Sequence, residues 1–183
     1  MRDEAVTHKW PLRRWGMWVR QVLIGSWLMR MRFPVRAAAW VWRRLMWRTT
    51  FIAITGSLGK TTCKELLAAI LKAHAPAFAT IGNQNGPQFV ALSTLRVRPW
   101  HRYAVLELAG SSPGTLDQSA PVVRPDIAVV LGVYRTHSTQ FVSLEEHARE
   151  KERLIAHAAP RATAVLSADD PFVSRMSGGG ARR

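Results

Sequence analysis

From residue 49 onward, short apolar runs rich in β-branched residues alternate with longer segments of helical periodicity. The runs predict strands and the longer segments predict helices: the strands are 51–55, 77–80, 103–107, 127–131 and 163–166, and the helices are 60–73, 87–96 and 143–158. Such alternation is typical of an α/β fold, in which a parallel sheet carries helices on both faces. The sequence therefore predicts one α/β domain over 49–176, followed by a disordered glycine-rich tail at 177–183.

The first 48 residues have a different pattern. Apolar and basic positions recur there at helical spacing, which predicts one or two amphipathic helices broken near Pro34. On the second helix the basic residues share one arc and most apolar residues take the other side: Arg36, Arg43, Arg44 and Arg48 against Val35, Ala38, Val41, Trp42, Leu45 and Met46. The longest uncharged run covers only 21–29, whereas a transmembrane helix needs about 20 apolar residues. We therefore expect no membrane span here, and the recurring arginines argue against a cleavable signal peptide.

Charge and tryptophan are concentrated in the same segment. The 183-residue chain has a formal net charge of +14, and residues 1–48 contribute +9 of it together with seven of the eight tryptophans. A basic, tryptophan-rich amphipathic helix is typical of a segment that lies on an anionic membrane surface. Packing against another domain or a partner protein is the alternative. The many large apolar side chains argue against a nucleic-acid partner.

A single cysteine, Cys63, excludes an internal disulfide and a cysteine metal cluster. This favours a reducing compartment and predicts a cytoplasmic protein. The basic N-terminal segment predicts peripheral association at the inner face of the membrane.

The stretch with the clearest chemistry is 51–71, FIAITGSLGKTTCKELLAAIL. A strand, a glycine turn and a helix follow one another in the order that a phosphate-binding loop requires. The glycines let backbone N–H groups approach an anion, and the helix adds the positive end of its dipole. The predicted nucleotide-binding residues are Gly56, Ser57, Leu58, Gly59, Lys60, Thr61 and Thr62.

Two side chains of this loop have predicted roles. Lys60 supplies a positive charge for the β- and γ-phosphates of a nucleotide, and the hydroxyl of Thr61 is placed to coordinate Mg²⁺. The strict pattern GxxxxGK(S/T) is incomplete, because Ile54 stands where it has its first glycine. A glycine turn that merely carries a lysine is therefore the alternative interpretation.

In parallel sheets, ligands bind at the carboxyl ends of the strands, so the residues after each strand are candidates for the site. Glu107 ends one strand and is either a Mg²⁺ ligand or a surface glutamate. His137 follows another and is a metal ligand, an orienting group or a plain loop histidine. The charged residues of 143–158 indicate a solvated helix face. Asp169 and Asp170 are predicted to bind metal or ribose, or to cap a helix that begins at Pro171.

With these pieces in order, the chain resembles the Mur ligases, the ATP-dependent amide-forming enzymes of peptidoglycan precursor synthesis. The matching segments run in the family's order over roughly 52–171: ITGSLGKTTCKE, TIGNQNG, YAVLELAGSSPG, RPDIAVVLGVYRTHSTQFVSLEEHAREKERLI and VLSADDP. The resemblance implies the family's central ATPase domain with its phosphate loop, and ATP and Mg²⁺ as its cofactors. It leaves residues 1–48 unmatched, and the family's N-terminal substrate domain and C-terminal domain have no counterpart.

The resemblance also implies roles for single residues. Glu107 matches the acidic Mg²⁺ ligand, and His137 matches the histidine beside the second metal. Lys151 matches a lysine that reacts with CO₂ to form a carbamate, which turns a cation into a carboxylate able to bind Mg²⁺. Asn83 and Lys60 lie where the family has groups near the phosphates and the acyl substrate.

These implications lead to two hypotheses about function. The first is a Mur-type ligase domain, in which ATP converts a substrate carboxylate to an acyl phosphate and an amine then forms the amide. The resemblance implies a UDP-linked peptide as substrate. The second is a catalytically incomplete nucleotide-binding module, or a ligase remnant, held at a membrane surface by residues 1–48.

Overall fold

A computed structural model describes residues 32–135 and 140–177. The predictions for residues 1–31, for His137 and for most of the tail lie outside the described residues. In chain order the elements are α1 (Arg32–Leu45), β1 (Thr50–Thr55), α2 (Lys60–His74), β2 (Ala77–Ala79), α3 (Pro87–Arg96), β3 (Tyr103–Glu107), α4 (Thr115–Val123), β4 (Ile127–Val130), α5 (Leu144–Ala156), β5 (Thr163–Leu166) and a 3₁₀ turn (Val173–Arg175).

The five strands form one parallel sheet in the order β2-β3-β1-β4-β5. The central strand β1 pairs with β3 on one side, where Ile54 lies opposite Glu107, and with β4 on the other. From β3 the chain crosses β1 to reach β4, so the loops after β1, β3 and β4 meet at the carboxyl edge of the sheet. This change of direction creates the crevice in which α/β proteins bind ligands.

Alternating side chains give the sheet two different faces. Phe51 and Ala53 point into the larger core, which is covered by α3, α4 and α5. Ile52 and Ile54 point to the other face, where α2 packs through a smaller cluster around Ala68. The prediction of a parallel sheet with helices on both faces is confirmed.

The predicted strands and helices agree with the structure to within two residues at most ends. One helix was not predicted from the sequence: α4, which contains Pro121. Proline normally disfavours a helix interior because it lacks an N–H and its ring clashes with the preceding turn. In α4 this is compensated by burial, since Leu116, Ala120 and Val123 all belong to the main core.

Helix α1 passes through the residue at which a break was expected. Pro34 is its third residue, and proline is tolerated in the first turn because the N–H it lacks would have no partner there. The helix packs on α3 and α4 through Ala39, with Trp42 against the main core. None of the described helices is long and apolar enough to cross a bilayer.

The interpretation of α1 as having one basic outer arc is wrong for Arg43. Its guanidinium is buried and donates hydrogen bonds to the carbonyl oxygens of Val123 (2.7 Å) and Arg124 (3.0 Å) and to Asp126 (2.9 Å). It therefore satisfies carbonyls at the C-terminus of α4, where a positive charge also complements the helix dipole. Conversely, the apolar residues Val41 and Leu45 are exposed.

Candidate active site

The loop between β1 and α2, residues 56–62 and hereafter the phosphate loop, depends on its glycines for its shape. Gly59 has φ +77°, a left-handed conformation that side chains disfavour, and it is the N-cap of α2. A Cβ on Gly56 would lie 3.0 Å from the Cβ of Leu131. The glycine at 56 therefore allows β1 to pass closely beside the loop that follows β4.

The phosphate loop is held from its outer side by this neighbouring loop. The N–H of Ser57 donates to the carbonyl oxygen of Gly132 at 2.8 Å, and the N–H of Tyr134 donates to the hydroxyl of Ser57 at 3.0 Å. No side chain caps the N-terminus of α2, and the first N–H groups of a helix have no partner within the helix. The loop and the first turn of α2 therefore form a preorganised anion site.

Lys60 lies over this site. Its ammonium donates to the carbonyl oxygens of Gly56 (2.8 Å) and Ser57 (3.2 Å). Burial lowers the pKa of Lys60, and the nearby carboxylate of Glu107 partly opposes that shift. The side chain lines a cavity of about 160 Å³ that also borders Asn85, His147 and Lys151. A phosphate in this cavity would have a mobile positive charge beside it.

Glu107 is a buried carboxylate at the end of β3, with 1% of its surface exposed. Each oxygen accepts one hydrogen bond from a side chain: Oε2 from the hydroxyl of Thr61 at 2.8 Å, and Oε1 from the amide of Asn85 at 2.7 Å. The alternative interpretation of Glu107 as a surface glutamate is therefore excluded. Thr61 and Glu107 come together as the metal-site prediction requires.

The loop after β2 contributes an asparagine, but not the predicted one. Asn83 is exposed, whereas the side-chain amide of Asn85 donates to Glu107. The backbone carbonyl oxygen of Asn85 also accepts the N–H of Ala109 at 2.8 Å. Two asparagines separated by one residue in a turn-rich loop offered no pattern to distinguish them. The substrate-proximal role of Asn83 stays a prediction.

Lys151 is buried in α5, with 2% of its surface exposed, and its ammonium donates to the carbonyl oxygen of Gly110. The pKa of Lys151 is lowered to about 7, mainly by burial and also by the charge of Lys60, while Glu150 opposes the shift. At neutral pH a large fraction of this side chain is therefore the free amine. Only a free amine attacks CO₂, so the environment suits the carbamate that the family resemblance implies.

The charge run of α5 is not simply a solvated face. Glu150, next to Lys151, is also buried, and its carboxylate accepts the backbone N–H groups of Gly114 (2.9 Å) and Leu116 (2.7 Å). It therefore caps the N-terminus of α4 from a neighbouring helix. The interpretation of this run as solvated is wrong for these two positions, because α5 packs against α4 and bonds to the loop after β3.

His147, also in α5, lines the cavity and was not predicted from the sequence. Its ring stacks on Phe141 with centroids 4.5 Å apart. The pKa of His147 is lowered to about 4, mainly by burial and also by the charge of Lys151, while hydrogen bonds to the backbone of Gly110 and Tyr134 oppose the shift. The imidazole is thus neutral at physiological pH, and its i, i+4 spacing from Lys151 was the signal available in the sequence.

Of the two adjacent aspartates, Asp170 has a structural role. Asp170 is buried and accepts the backbone N–H of Phe172 and of Val173 at 2.9 Å. This fits the capping alternative, although the 3₁₀ turn begins at Val173 and not at Pro171. Its other oxygen accepts the N–H of Val133 at 2.8 Å. Asp170 therefore fixes the loop that holds Ser57, while Asp169 is exposed.

The donor set suits Mg²⁺ better than a transition metal. The described residues contain no cluster of three or more His, Cys, Asp or Glu side chains that could hold a metal ion. Mg²⁺ in nucleotide sites is commonly bound by one or two protein oxygens plus phosphates and water. Glu107 and Thr61 provide such oxygens, and a carbamate on Lys151 would add another.

Comparison with known proteins gives a consistent answer. Residues 54–181 match the Mur ligase middle domain. The UDP-N-acetylmuramoyl-tripeptide–D-alanyl-D-alanine ligase of Buchnera aphidicola subsp. Acyrthosiphon pisum is 31% identical over 134 residues, which are 73% of this chain and 30% of that ligase.

Two solved structures have the same fold. MurF from Acinetobacter baumannii superimposes with a TM-score of 0.76 at 32% identity, covering 79% of this chain and 32% of that one. The MurF ligase from Thermotoga maritima in complex with ADP has a TM-score of 0.72 at 31% identity, covering 82% of this chain and 35% of that one. The chain thus spans about a third of the length of the relatives it matches.

Proposed function

Because the chain belongs to the Mur ligase family and carries its middle domain, we propose that it binds ATP with Mg²⁺ as the ATP-binding domain of an amide-forming ligase. The reaction belongs to peptidoglycan precursor synthesis. One observation carries the proposal: the phosphate loop with Lys60 and the Thr61–Glu107 pair meet at the carboxyl edge of one sheet.

The proposed reaction has two steps. A substrate carboxylate oxygen attacks the γ-phosphorus of ATP, the bond to the β–γ bridging oxygen breaks, and ADP leaves with that electron pair. A neutral amine then attacks the acyl carbon, phosphate departs, and the amine loses a proton to give the amide. The names of the relatives favour a UDP-linked muramoyl tripeptide as the acid and D-alanyl-D-alanine as the amine.

In the first step negative charge moves from the γ-phosphoryl group towards the β-phosphate. The ammonium of Lys60 and the N–H groups at the start of α2 are placed to stabilise that charge, and the N–H groups are fixed before the substrate arrives. Binding the phosphates requires Lys60 to exchange its hydrogen bonds with Gly56 and Ser57 for phosphate oxygens.

Mg²⁺ would neutralise charge on the phosphates. Thr61 and Glu107 would hold one ion, and carbamylated Lys151 and His137 would be near a second. Carbamylation consumes the lone pair of neutral Lys151 Nζ, which bonds to the carbon of CO₂ and releases one proton. The resulting carboxylate would replace a buried cation by an anion within reach of the cavity.

Calorimetric titration with ATP and Mg²⁺ tests the binding claim. Lys60→Ala should weaken binding about 10–100-fold, since a charge-assisted hydrogen bond contributes about 1.5–3 kcal/mol. The matched control is Lys72→Ala, which removes an exposed lysine from the same helix. Equal affinities for wild type and Lys60→Ala would contradict the assignment of the phosphate site.

A second candidate is a nucleotide-binding module that does not complete ligation and associates with an anionic membrane through its N-terminal segment. The exposed surface of α1 and of the turn that follows it favours this candidate. Trp40, Trp47 and Leu45 are exposed there, and the guanidinium of Arg44 lies 3.4 Å from the centroid of the Trp40 ring. Phosphate release in the presence of acid and amine substrates separates the two candidates, because turnover by this chain alone would reject the incomplete module.

A further inference from the structure

Lys64 is a fully buried lysine one helical turn beyond Lys60. It has 0% of its surface exposed, and its ammonium bonds to groups outside the phosphate loop. Its partners are the carbonyl oxygen of Thr80 at 2.8 Å, the carbonyl oxygen of Gly82 at 2.5 Å and the carboxylate of Glu65 at 2.8 Å. An ammonium has three N–H donors, so each of them has a partner.

The two carbonyls belong to the loop that follows β2. Gly82 has φ +54°, a left-handed turn that directs the backbone of the loop back towards α2. The hydroxyl of Thr80 accepts the backbone N–H of Glu107 at 3.2 Å, and the N–H of Thr80 donates to Val105 at 3.1 Å. Lys64 therefore holds this loop where it leaves the sheet, beside the end of β3.

The far end of the same loop carries Asn85, whose amide donates to Glu107 and whose carbonyl oxygen accepts the N–H of Ala109. Between Gly82 and Asn85 the loop has only local turns, and Asn83 and Gln84 are exposed. The position of the Asn85 amide thus depends on how the start of the loop is fixed. Lys64 is the buried charge that fixes it.

We infer that Lys64 is a positioning residue, which sets the Glu107 carboxylate for Mg²⁺ by anchoring the loop that carries Asn85. Burying an ammonium is costly unless every donor is paired, and an apolar side chain at a packing position would avoid that cost. The presence of a lysine here, and not an apolar residue, is explained if its ammonium is needed to hold the carbonyl groups of Thr80 and Gly82 in place. Partners that orient a metal ligand typically change metal affinity by about 10–100-fold when removed.

The inference rests on the proposed function, and its test separates the two. Calorimetry first measures the affinity of the full chain for ADP in excess EDTA. The titration is then repeated at increasing Mg²⁺ concentrations to find the concentration that gives half of the Mg²⁺-dependent increase in ADP affinity. Lys64→Met should leave binding in EDTA unchanged, because the phosphate loop is intact, and should raise that Mg²⁺ concentration about 10–100-fold. Lys72→Met, an exposed change on the same helix, should behave as wild type.

Hydrogen exchange at the backbone amides of Glu107 and Ala109 measures, without nucleotide, how firmly the loop after β2 is held. Both N–H groups bond to the loop, so Lys64→Met should speed their exchange while the amides of β4 keep their protection. A purely structural lysine would instead lower protection throughout the sheet. If wild type does not bind ADP, the proposed function fails, and the exchange experiment still decides the role of Lys64.

A double-mutant cycle that combines Lys64→Met with Asn85→Ala tests whether Lys64 affects Glu107 through Asn85. If Lys64 acts through Asn85, the double variant should need no more Mg²⁺ than Asn85→Ala alone. Additive losses, or wild-type Mg²⁺ dependence and exchange in Lys64→Met, would overturn the inference. Should Lys64→Met fail to fold, the same measurements on Lys64→Gln, whose shorter side chain cannot hold both carbonyls, decide by the same criteria.

Discussion

The hydroxyl of Thr61 donates a 2.8 Å hydrogen bond to Oε2 of Glu107, which joins the first turn of α2 to the end of β3. This bond links the phosphate loop to the proposed metal ligand. The same two oxygens would bind Mg²⁺, which would replace the hydrogen bond between Thr61 and Glu107. The hydrogen bond therefore holds both side chains at the metal site before the ion binds.

Thr61→Val removes the hydroxyl but keeps the shape of the side chain. We expect the Mg²⁺-dependent part of ATP affinity to fall, while affinity in EDTA stays close to that of wild type because Lys60 is retained. Calorimetry in the two buffers measures both. Thr163→Val, an exposed threonine in β5, is the matched control; an unchanged Mg²⁺ dependence in Thr61→Val would argue against Thr61 as a metal ligand.

Carbamylation of Lys151 can be observed directly. In ¹³C-bicarbonate the protein should show a carbamate carbon signal by NMR that is absent from Lys151→Ala. Because burial lowers the pKa of Lys151 to about 7, the amine is already partly free at neutral pH, and the signal should grow as the pH rises through 7. A signal of equal size in Lys151→Ala would assign the carbamate to another amine.

Lys151 also predicts a pH dependence of stability in CO₂-free buffer. Its pKa is lowered from 10.5 to about 7, so between those values the unfolded chain binds a proton that the folded chain lacks. The free energy of unfolding of the wild type should therefore rise with pH across this window. Lys151→Met has no buried charge, so it should be more stable than the wild type. This difference in the free energy of unfolding should be largest below pH 7 and should decrease as the pH rises to 10.5.

Urea titrations of both proteins across this range give the comparison. If the difference between wild type and Lys151→Met did not change with pH, the ammonium of Lys151 would have to be solvated in the native state.

Asp170 should be important for stability rather than for metal binding. Asp170→Ala leaves the N–H groups of Val133, Phe172 and Val173 without their partner, and we expect a loss of about 2–3 kcal/mol in the free energy of unfolding. Asp169→Ala, at an exposed position, should change it by no more than about 0.5 kcal/mol. Urea denaturation measures both, and similar small effects would contradict the capping role.

The membrane proposal is best tested without deleting the N-terminal segment. Removing residues 1–48 would also remove Ala39, Trp42 and Arg43, which pack on the domain. Replacing Trp40 and Trp47 by glutamine leaves those contacts in place and should weaken sedimentation with anionic lipid vesicles. Neutral phosphatidylcholine vesicles are the control, and undiminished binding to anionic vesicles would place the contact elsewhere.

The order of strands and helices could be read from the sequence because each strand is a short apolar run bounded by turn residues. The phosphate loop was equally visible, since its glycines and Lys60 are adjacent along the chain. Helix α4 was hidden by Pro121, whose local cost is compensated by core contacts distant in sequence.

The partners of the site were harder to predict, because they depend on which carbonyls and N–H groups come together in space. Lys64, Glu150 and Asp170 are charged residues, and each has at least one partner 16 or more residues away along the chain. The sequence analysis placed Glu150 on a solvated face, left Asp170 with binding and capping alternatives, and assigned no role to Lys64. The same limitation placed Arg43 on an outer arc, although α4 offers it two carbonyl oxygens.

The unequal covering of the sheet has a consequence for behaviour in solution. On the face that carries α2, Val165 is 48% exposed, and Leu66 and Ile70 of the helix are 62% and 68% exposed. At low salt the net charge of +14 keeps copies of the chain apart by mutual repulsion. Added salt screens that repulsion over a Debye length of about 8 Å at physiological ionic strength. Light scattering should therefore increase with ionic strength, and Ile70→Glu should reduce the increase.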